Sequence, residues 1–330
     1  MKEISIEIND AGQRVDRFLK KYLKNASLSF IYKSLRKKNI LVNDKKAKPE
    51  DILREKDRIK IFFSDETLTK FIGKKPDLKS GKFPRVIYED DNIILLDKPA
   101  GILSHNDSSA YVKNMVDMMV DYLIAKGDYN PRLEKTFRPS VCNRLDRNTS
   151  GILIAGKNAA SLRELNDLIR RNILEKYYLV LVKGEVKEDF KDRSYLVKDS
   201  KNNKVSALES GEEGKLSLTE FKVVGSSKGY SLLEVKLITG RTHQIRTVLK
   251  SRGLPVLGDI KYGRKDLNKE FESKYGYRNQ FLHNYKIKFA DADNDLAYLK
   301  GKEFYNELPK KEQDILRDIF QKELWRYKWK

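Results

Sequence analysis

Three short strings concentrate the residue types that do chemistry. The first is Asn143-Arg144-Leu145-Asp146-Arg147-Asn148-Thr149-Ser150-Gly151, a polar run between the apolar stretches Val141-Cys142 and Ile152-Leu153-Ile154. It sets one acid between two arginines. A carboxylate with local cations suits an ionised nucleophile or a general base. Arg-Asp pairs also serve as structural clamps, so this spacing alone leaves both readings open. The second string is Thr239-Gly240-Arg241-Thr242-His243-Gln244-Ile245-Arg246. It reads as a glycine turn before a helix, with Thr242 as N-cap. The third is Glu175-Lys176-Tyr177-Tyr178, at the start of a strand. No Walker-type glycine loop accompanies them. Cys142 is the single cysteine, and His105, His243 and His283 are the only histidines. An internal disulfide and a cysteine-rich zinc site are both excluded, and no metal is expected.

The elements that must position these strings follow from periodicity. Val15, Phe18, Leu19, Tyr22 and Leu23 recur at helical spacing, with Arg14, Arg17, Lys20, Lys21 and Lys24 on the other face. A second helix is expected after Ser27 or Ser29, with Phe30, Ile31, Ser34 and Leu35 inward. It carries Lys33, Arg36 and Lys37. Strands follow at Ile40–Val42 and Arg58–Phe63, completing a small α/β module over 1–63. Residues 64–82 are polar, with Gly, Pro and Ser, and read as a linker. Beyond it, strands are expected at 86–88, 93–96, 178–182, 216–224, 230–238 and 281–289. Helices are expected over 108–128, over 158–171, and from Thr242 to a stop at Gly253. Hairpins dominate over 83–290, so the core is α+β with a mixed, largely antiparallel sheet. A helix after Pro309 places Ile315, Leu316, Ile319, Phe320 and Leu324 on one face of a C-terminal tail, 291–330. Trp325, Tyr327 and Trp329 follow, and the stripe is expected to dock on the core.

Charge narrows the partner. The 330 residues carry 68 Lys+Arg against 48 Asp+Glu, a formal net charge of +20. Residues 1–63 hold 17 basic and 9 acidic side chains, whereas the tail 291–330 holds nine of each. Solubility alone does not account for that asymmetry, and a polyanion, nucleic acid above all, does. Basic side chains grouped on two short helices form a surface that tracks a phosphate backbone, where charge sets affinity but reads little sequence. No run of about 18 apolar residues argues for a membrane span. The opening MKEISIEINDAGQR lacks the apolar core of a secretory signal. A cytoplasmic monomer is expected.

The string RLDRNTSG, the string TGRTHQIR with GLPVLGDIKYG after it, and EKYYLVLVKG together resemble the RluA-type pseudouridine synthases. The opening VDRFL…SFIYKSLRKKNILVN resembles an S4 RNA-binding domain, which many of that family carry in front. The resemblance runs from about residue 12 to 290. It implies a cofactor-independent isomerase that converts uridine to pseudouridine, with large-subunit ribosomal RNA as the substrate suggested by the domain pairing. Asp146 matches the single catalytic aspartate, and Arg144 the arginine that enters the RNA stack where the flipped uridine left. Tyr178 matches the tyrosine that packs on the target base, favoured over Tyr177 by the K-x-Y spacing. Arg246 matches the arginine that pairs with the aspartate. Arg241, in the same string, and Arg14, Arg17, Lys20, Lys33, Arg36 and Lys37 of the S4-like part are candidate RNA contacts. The chain departs from the family at Asn143, where many members have His, and at Asn148, which replaces a common Asp.

Isomerising uridine breaks N1–C1′ and joins C1′ to C5. The reacting edge is inaccessible inside a stack, so the nucleotide must be extruded at a cost of a few kcal/mol. An inserted arginine offsets part of that cost. Closing a base over a carboxylate removes water and disfavours its charge, which an arginine partner opposes. Arg246 is therefore expected beside Asp146. The product C-glycoside is the more stable isomer, so neither ATP nor a redox cofactor is required. Two other readings share the composition: a non-catalytic S4-type RNA-binding or ribosome-assembly factor, and the same isomerisation on tRNA.

Overall fold

The computed structural model describes residues 1–72, 81–106, 112–131, 134–199, 204–208 and 214–321. The chain divides into two compact units, one of residues 1–83, 117–140 and 156–163, the other of 84–116, 141–155 and 164–330.

The first unit opens with β1 (Lys2–Ser5), α1 (Val15–Tyr22), α2 (Leu28–Arg36), β2 (Ile40–Val42), β3 (Arg58–Ile61) and α3 (Asp65–Ile72). The strands form an antiparallel sheet in the order β1-β3-β2. Val15, Phe18 and Leu19 of α1 are buried, as its spacing predicts. Ser27 caps α2, its hydroxyl accepting from the Phe30 N–H at 3.2 Å, and Ile31, Ser34 and Leu35 face inward. The linker reading of 64–82 needs correction in its first half. Residues 65–72 are helical, and Leu68 is buried in the same core as Ile4, Phe18 and Ile59, with Phe71 and Ile72 packed on it. Those three apolar residues at i, i+3 and i+4 are enough to fold a helix once a core is beside them. Residues 73–80 lie outside the described residues. Asp10, buried, accepts from the Thr136 N–H at 3.1 Å and from its hydroxyl at 2.6 Å, so residues near 136 pack with the N-terminal residues.

The elements that follow are β4 (Arg85–Glu89), β5 (Ile93–Lys98), α4 (Met115–Lys126), β6 (Ser140–Val141), β7 (Ser150–Gly156), α5 (Ala159–Arg170), β8 (Leu174–Lys183), β9 (Phe190–Asp199), β10 (Lys204–Leu208), β11 (Lys215–Ser227), β12 (Tyr230–Leu237), α6 (Gln244–Ser251), α7 (Lys265–Tyr275) and β13 (Leu282–Phe289). A 3-10 turn (Asn294–Leu299), β14 (Glu303–Tyr305) and α8 (Lys310–Phe320) complete the described chain. One large sheet runs β10-β9-β11-β12-β8-β13-β7-β5-β4, with β14 on β13 and β6 on β7. β13 pairs parallel with β7, and its pairing with β8 and β14 is antiparallel, so the sheet is mixed as expected. Among the described residues no helix is long and apolar enough to cross a membrane.

The tail beyond 290 is not purely helical, since β14 extends the sheet. The helix expected after Pro309 is α8, and Ile315, Leu316, Ile319 and Phe320 are buried against Phe271, Tyr277 and Phe281. Leu324, Trp325, Tyr327 and Trp329 lie outside the described residues. β9 and β10 escape sequence reading because β9 carries clustered charges at both ends and β10 is only five residues long, so the apolar face, Leu196 and Val205 among it, shows no clear alternation.

The parallel contact of β7 with β13 depends on Gly151. Its φ is +120°, and a Cβ there would lie 2.3 Å from the Asn284 carbonyl oxygen. Only glycine has both the backbone freedom and the space. Replacing it forces β13 away from β7. Gly151→Ala is expected to destabilise the chain by about 3 kcal/mol, measured as a lowered urea midpoint.

Candidate active site

Residues 143–149 form the loop between β6 and β7, and side chains staple its backbone in place. Asn143 is buried. Its amide donates to the Ile152 carbonyl at 3.0 Å and accepts from the Ile154 N–H at 2.8 Å. The departure from His at this position is therefore met by a residue that bridges the loop to β7. The Ser104 hydroxyl donates to the Leu145 carbonyl at 2.8 Å and accepts the Leu145 N–H at 3.0 Å. Lys98, fully buried, donates to the carbonyls of Pro99, Arg147 and Thr149 at 3.1, 3.0 and 2.7 Å. Burial lowers its pKa to about 7, against the upward pull of Asp146 and then Asp97. A loop so held presents one carboxylate in a fixed place.

That carboxylate, Asp146, accepts a hydrogen bond from Arg246 Nη1 to Oδ2 at 2.6 Å. The other face of the guanidinium is taken by Asp259, with Nε to Oδ2 at 2.6 Å and Nη2 to Oδ1 at 2.8 Å. Asp259 is completely buried and is itself fixed by the N–H groups of Lys261 and Tyr262 at 2.9 and 3.0 Å. Asp146 keeps 28 % of its side chain exposed, whereas Arg246 keeps 7 %. Burial works against the arginine's charge, but Asp259 and then Asp146 outweigh it and its pKa lies above the ordinary value. Burial likewise opposes the Asp259 charge, and Arg246 with the two N–H donors brings its pKa below the usual carboxylate value. The expectation that Arg246 lies beside Asp146 is met. Asp259 was not singled out by sequence reading, although it sits in the GDIKYG segment quoted above. An acid following a glycine turn reads as local turn chemistry, and the string gives no sign that its partner is 13 residues back.

The helix that carries Arg246 starts differently from expectation. His243, not Thr242, occupies the N-cap, in the left-handed region at φ +55°, and its side chain makes no cap bond. Gln244 instead ties down the turn before the helix: its Oε1 accepts from the Arg241 N–H at 2.9 Å and its Nε2 donates to the Leu218 carbonyl at 3.0 Å. The end of α6 is as read, since Gly253 at φ +72° lets the 254 N–H bond back to Leu249 at 2.9 Å and its own N–H to Lys250 at 3.0 Å. His243 Nδ1 lies 2.9 Å from the Tyr262 hydroxyl, and its Nε2 lies 3.9 Å from Asp146 Oδ2.

Strand alternation separates the two tyrosines. Tyr177 is half-buried, its hydroxyl donating to Glu175 at 2.7 Å. Tyr178 is buried, opposite Asn284 on β13. Burial raises the Tyr178 phenol, the Asn284 contact opposes that, and the negative charge of Asp146 adds to it. The phenol is neutral across the physiological range and close enough to Asp146 to feel its charge. Lys176 shares the Tyr178 face and is buried, which lowers its pKa.

The basic candidates divide by what already holds them. Arg14 is tied to Asp16 by Nε at 3.1 Å and Nη2 at 2.8 Å, and Lys20 caps α1 by donating to the Lys24 and Ala26 carbonyls at 3.0 and 2.6 Å. Arg241 is exposed, with its Nε donating to the Leu216 carbonyl at 3.0 Å. Arg17, Lys33, Arg36, Lys37 and Arg144 are exposed, and their side chains have no hydrogen bond or ion pair among the described residues.

Residues 92–251 match the family described as RNA pseudouridylate synthase. The chain is 32 % identical over 298 residues to ribosomal large subunit pseudouridine synthase C of Escherichia coli, covering 88 % of this chain and 89 % of that one. It is 34 % identical over 256 residues to ribosomal large subunit pseudouridine synthase D of Borreliella burgdorferi, covering 76 % and 74 %. The solved structure of human RNA pseudouridylate synthase domain containing 4 superposes with a TM-score of 0.56 at 19 % identity, covering 72 % of this chain and 92 % of that one, a likeness of fold.

Two substitutions test the architecture. Asp259→Asn leaves Arg246 buried beside a neutral partner and is expected to cost about 3 kcal/mol of stability, read by urea unfolding at pH 7. Lys98 binds fewer protons folded than unfolded between about pH 7 and its ordinary value of 10.5. Its contribution to stability therefore rises with pH across that window. Lys98→Met is expected to flatten the rise, measured by unfolding free energies at pH 6.5, 8 and 9.5, and to destabilise at every pH by stranding three carbonyls.

Proposed function

Because the chain belongs to the RNA pseudouridylate synthase family and isomerises uridine to pseudouridine, we propose that its substrate is large-subunit ribosomal RNA and that Asp146 is its catalytic carboxylate. The observation that carries this reading is the single, partly exposed carboxylate on a stapled loop, bonded at 2.6 Å to an arginine that is itself locked by a buried acid. The relatives named for the large ribosomal subunit favour that RNA.

In the reaction the N1–C1′ bond breaks, the uracil turns, C5 bonds to C1′, and the proton lost from C5 is balanced by one gained at N1. Atoms and charge are conserved. Asp146 supplies the negative charge that the sugar or the base meets when the nucleotide closes over the loop. Arg246 keeps that charge when water leaves. Tyr178, neutral and buried beside Asp146, offers a flat face to the extruded base. Arg144, exposed and unpaired among the described residues, is suited to fill the vacated stack.

Residues 1–63 act in this reading as an S4-like grip on RNA. Arg17, Lys33, Arg36 and Lys37 are its available cations, because Arg14 and Lys20 are held by their own module. Each phosphate contact adds to the salt dependence of binding. The paired substitution Arg36→Ser, Lys37→Ser is expected to weaken RNA binding by about tenfold at 0.15 M salt and to shallow the salt slope by about 2, measured by filter binding.

The direct test uses ribosomal and transfer RNA from cells lacking the chain. Wild type is expected to introduce carbodiimide-dependent stops in large-subunit RNA. Asp146→Asn is expected to lose at least about 10³-fold in rate. Stops confined to transfer RNA would move the substrate, and stops made equally by Asp146→Asn would remove Asp146 from the chemistry.

A further inference from the structure

His243 borders the site, yet the isomerisation as derived above leaves it idle. Its side chain is 14 % exposed, and its Nε2 lies 3.9 Å from the Asp146 oxygen that Arg246 holds. That separation is too long for a hydrogen bond and leaves Nε2 free for another partner.

The tautomer follows from Tyr262. The Tyr262 oxygen accepts the Val205 N–H at 2.9 Å. Its own proton then needs an acceptor, because the ring is buried. The Thr247 hydroxyl is near and favours the ionised phenol, which is the action of a donor to the Tyr262 oxygen and not of an acceptor of its proton, and Thr247 Oγ1 has no partner in strict hydrogen-bonding geometry. His243 Nδ1, at 2.9 Å, is the acceptor in reach. Nδ1 therefore carries no proton and Nε2 carries one. The charged groups around the ring are Asp146, Arg246, Lys261 and Asp259. Burial favours the neutral ring most, Asp146 opposes it, and Arg246 and Lys261 reinforce it.

The imidazole is thus a neutral donor with a fixed direction, at the rim of an open carboxylate. A neutral donor there has a distinct use. A cation would compete with Arg246 for Asp146, and an acceptor would be repelled by it. An N–H can instead meet an acceptor brought in by the substrate. The extruded uracil presents two carbonyl oxygens, and it must be held while its glycosidic bond is broken and the ring turns.

We propose that His243, fixed as the Nε2–H tautomer by Tyr262, donates a hydrogen bond to a carbonyl oxygen of the extruded uracil. This rests on the isomerase activity of the chain and adds a base-recognising residue to it. Tyr262 is a positioning residue in the same unit.

The experiment uses the full chain and transcripts of the large-subunit RNA region that wild type modifies, followed by release of the C5 hydrogen under single-turnover conditions. Wild-type turnover on these transcripts establishes the reaction independently of the variants. His243→Phe is expected to slow the step by about 30-fold with RNA affinity unchanged, and His243→Gln, which restores an N–H donor, to recover about fivefold or more. Tyr262→Phe is expected to lose about fivefold, and the double variant to match His243→Phe, because the two act through one hydrogen bond. Transcripts made with 2-thiouridine or 4-thiouridine supply the weaker acceptor. One of them is expected to slow wild type and not to slow His243→Phe further. A wild-type rate for folded His243→Phe, additive losses in the double variant, or sulfur effects that persist undiminished in His243→Phe on both transcripts would each overturn the proposal.

Discussion

Arg246 is a cation shared between two acids of opposite circumstances, and the site depends on that asymmetry. Asp259 is sealed and takes two of the guanidinium's N–H groups, whereas Asp146 is open and takes one. The inner pair fixes the plane of the guanidinium, and the plane fixes where Nη1 points. A lysine could balance the charge but could not transmit the geometry, since its ammonium has no plane. Two carboxylates around one arginine leave the cluster net negative, and the cost of burying the inner acid is met by two backbone N–H donors as well as by the arginine. The outer acid thus keeps a fixed cation without itself being buried.

The loop under Asp146 is held by a different device. Its backbone polar groups find no strand partners between 143 and 149, so the side chains of Ser104 and Lys98 supply them, while Asn143 ties the start of the loop to the β7 backbone. Such a loop resists the displacement that a closing RNA base would impose on it. The device has an electrostatic side. Lys98 is a buried amine near Asp146, and its three carbonyl acceptors turn its N–H groups to the loop backbone and direct none at the carboxylate. Asp146 is left with one hydrogen-bonded cation, and that cation is the one with geometry.

How much of this was legible in the sequence depends on the range of the interaction. Helix faces, the end of α6 at Gly253, the apolar late strand and the helix after Pro309 are local patterns, and they are found where periodicity puts them. The Asp146–Arg246 pair spans 100 residues and was reached through resemblance to a family, supported by the physical need for a cation. Asp259 and Lys98 carried no such pointer. Asp259 follows a glycine turn and Lys98 ends β5 before a Pro-Gly bend, and such places explain a charge well enough that nothing in the string asks for more. The linker reading of 65–72 erred in the opposite direction. Polar composition outvoted three apolar residues whose helical spacing matters only when a core is beside them. The N-cap of α6 was assigned to Thr242 by residue type, but the Gln244 side chain bonds the Arg241 N–H and the turn closes one residue later.

The allocation of cations is the last constraint. A chain of net charge +20 facing a polyanion risks having the arginine beside Asp146 captured by a phosphate. Capture requires accessible N–H groups, and Arg246 is only 7 % exposed, with three of its five N–H groups held by Asp146 and Asp259. A phosphate would have to displace a carboxylate from a bond of 2.6 Å and would still find the other two donors committed to Asp259. Arg144, on the same loop as Asp146, is by contrast exposed and unpaired among the described residues, as are Arg17, Lys33, Arg36 and Lys37. In the proposed reading RNA therefore meets those side chains first. Affinity and chemistry then draw on separate sets of cations, so tight backbone binding need not weaken the charge on Asp146. A neutral His243 at the same rim fits that separation, because it adds a donor without adding a charge for phosphate to find.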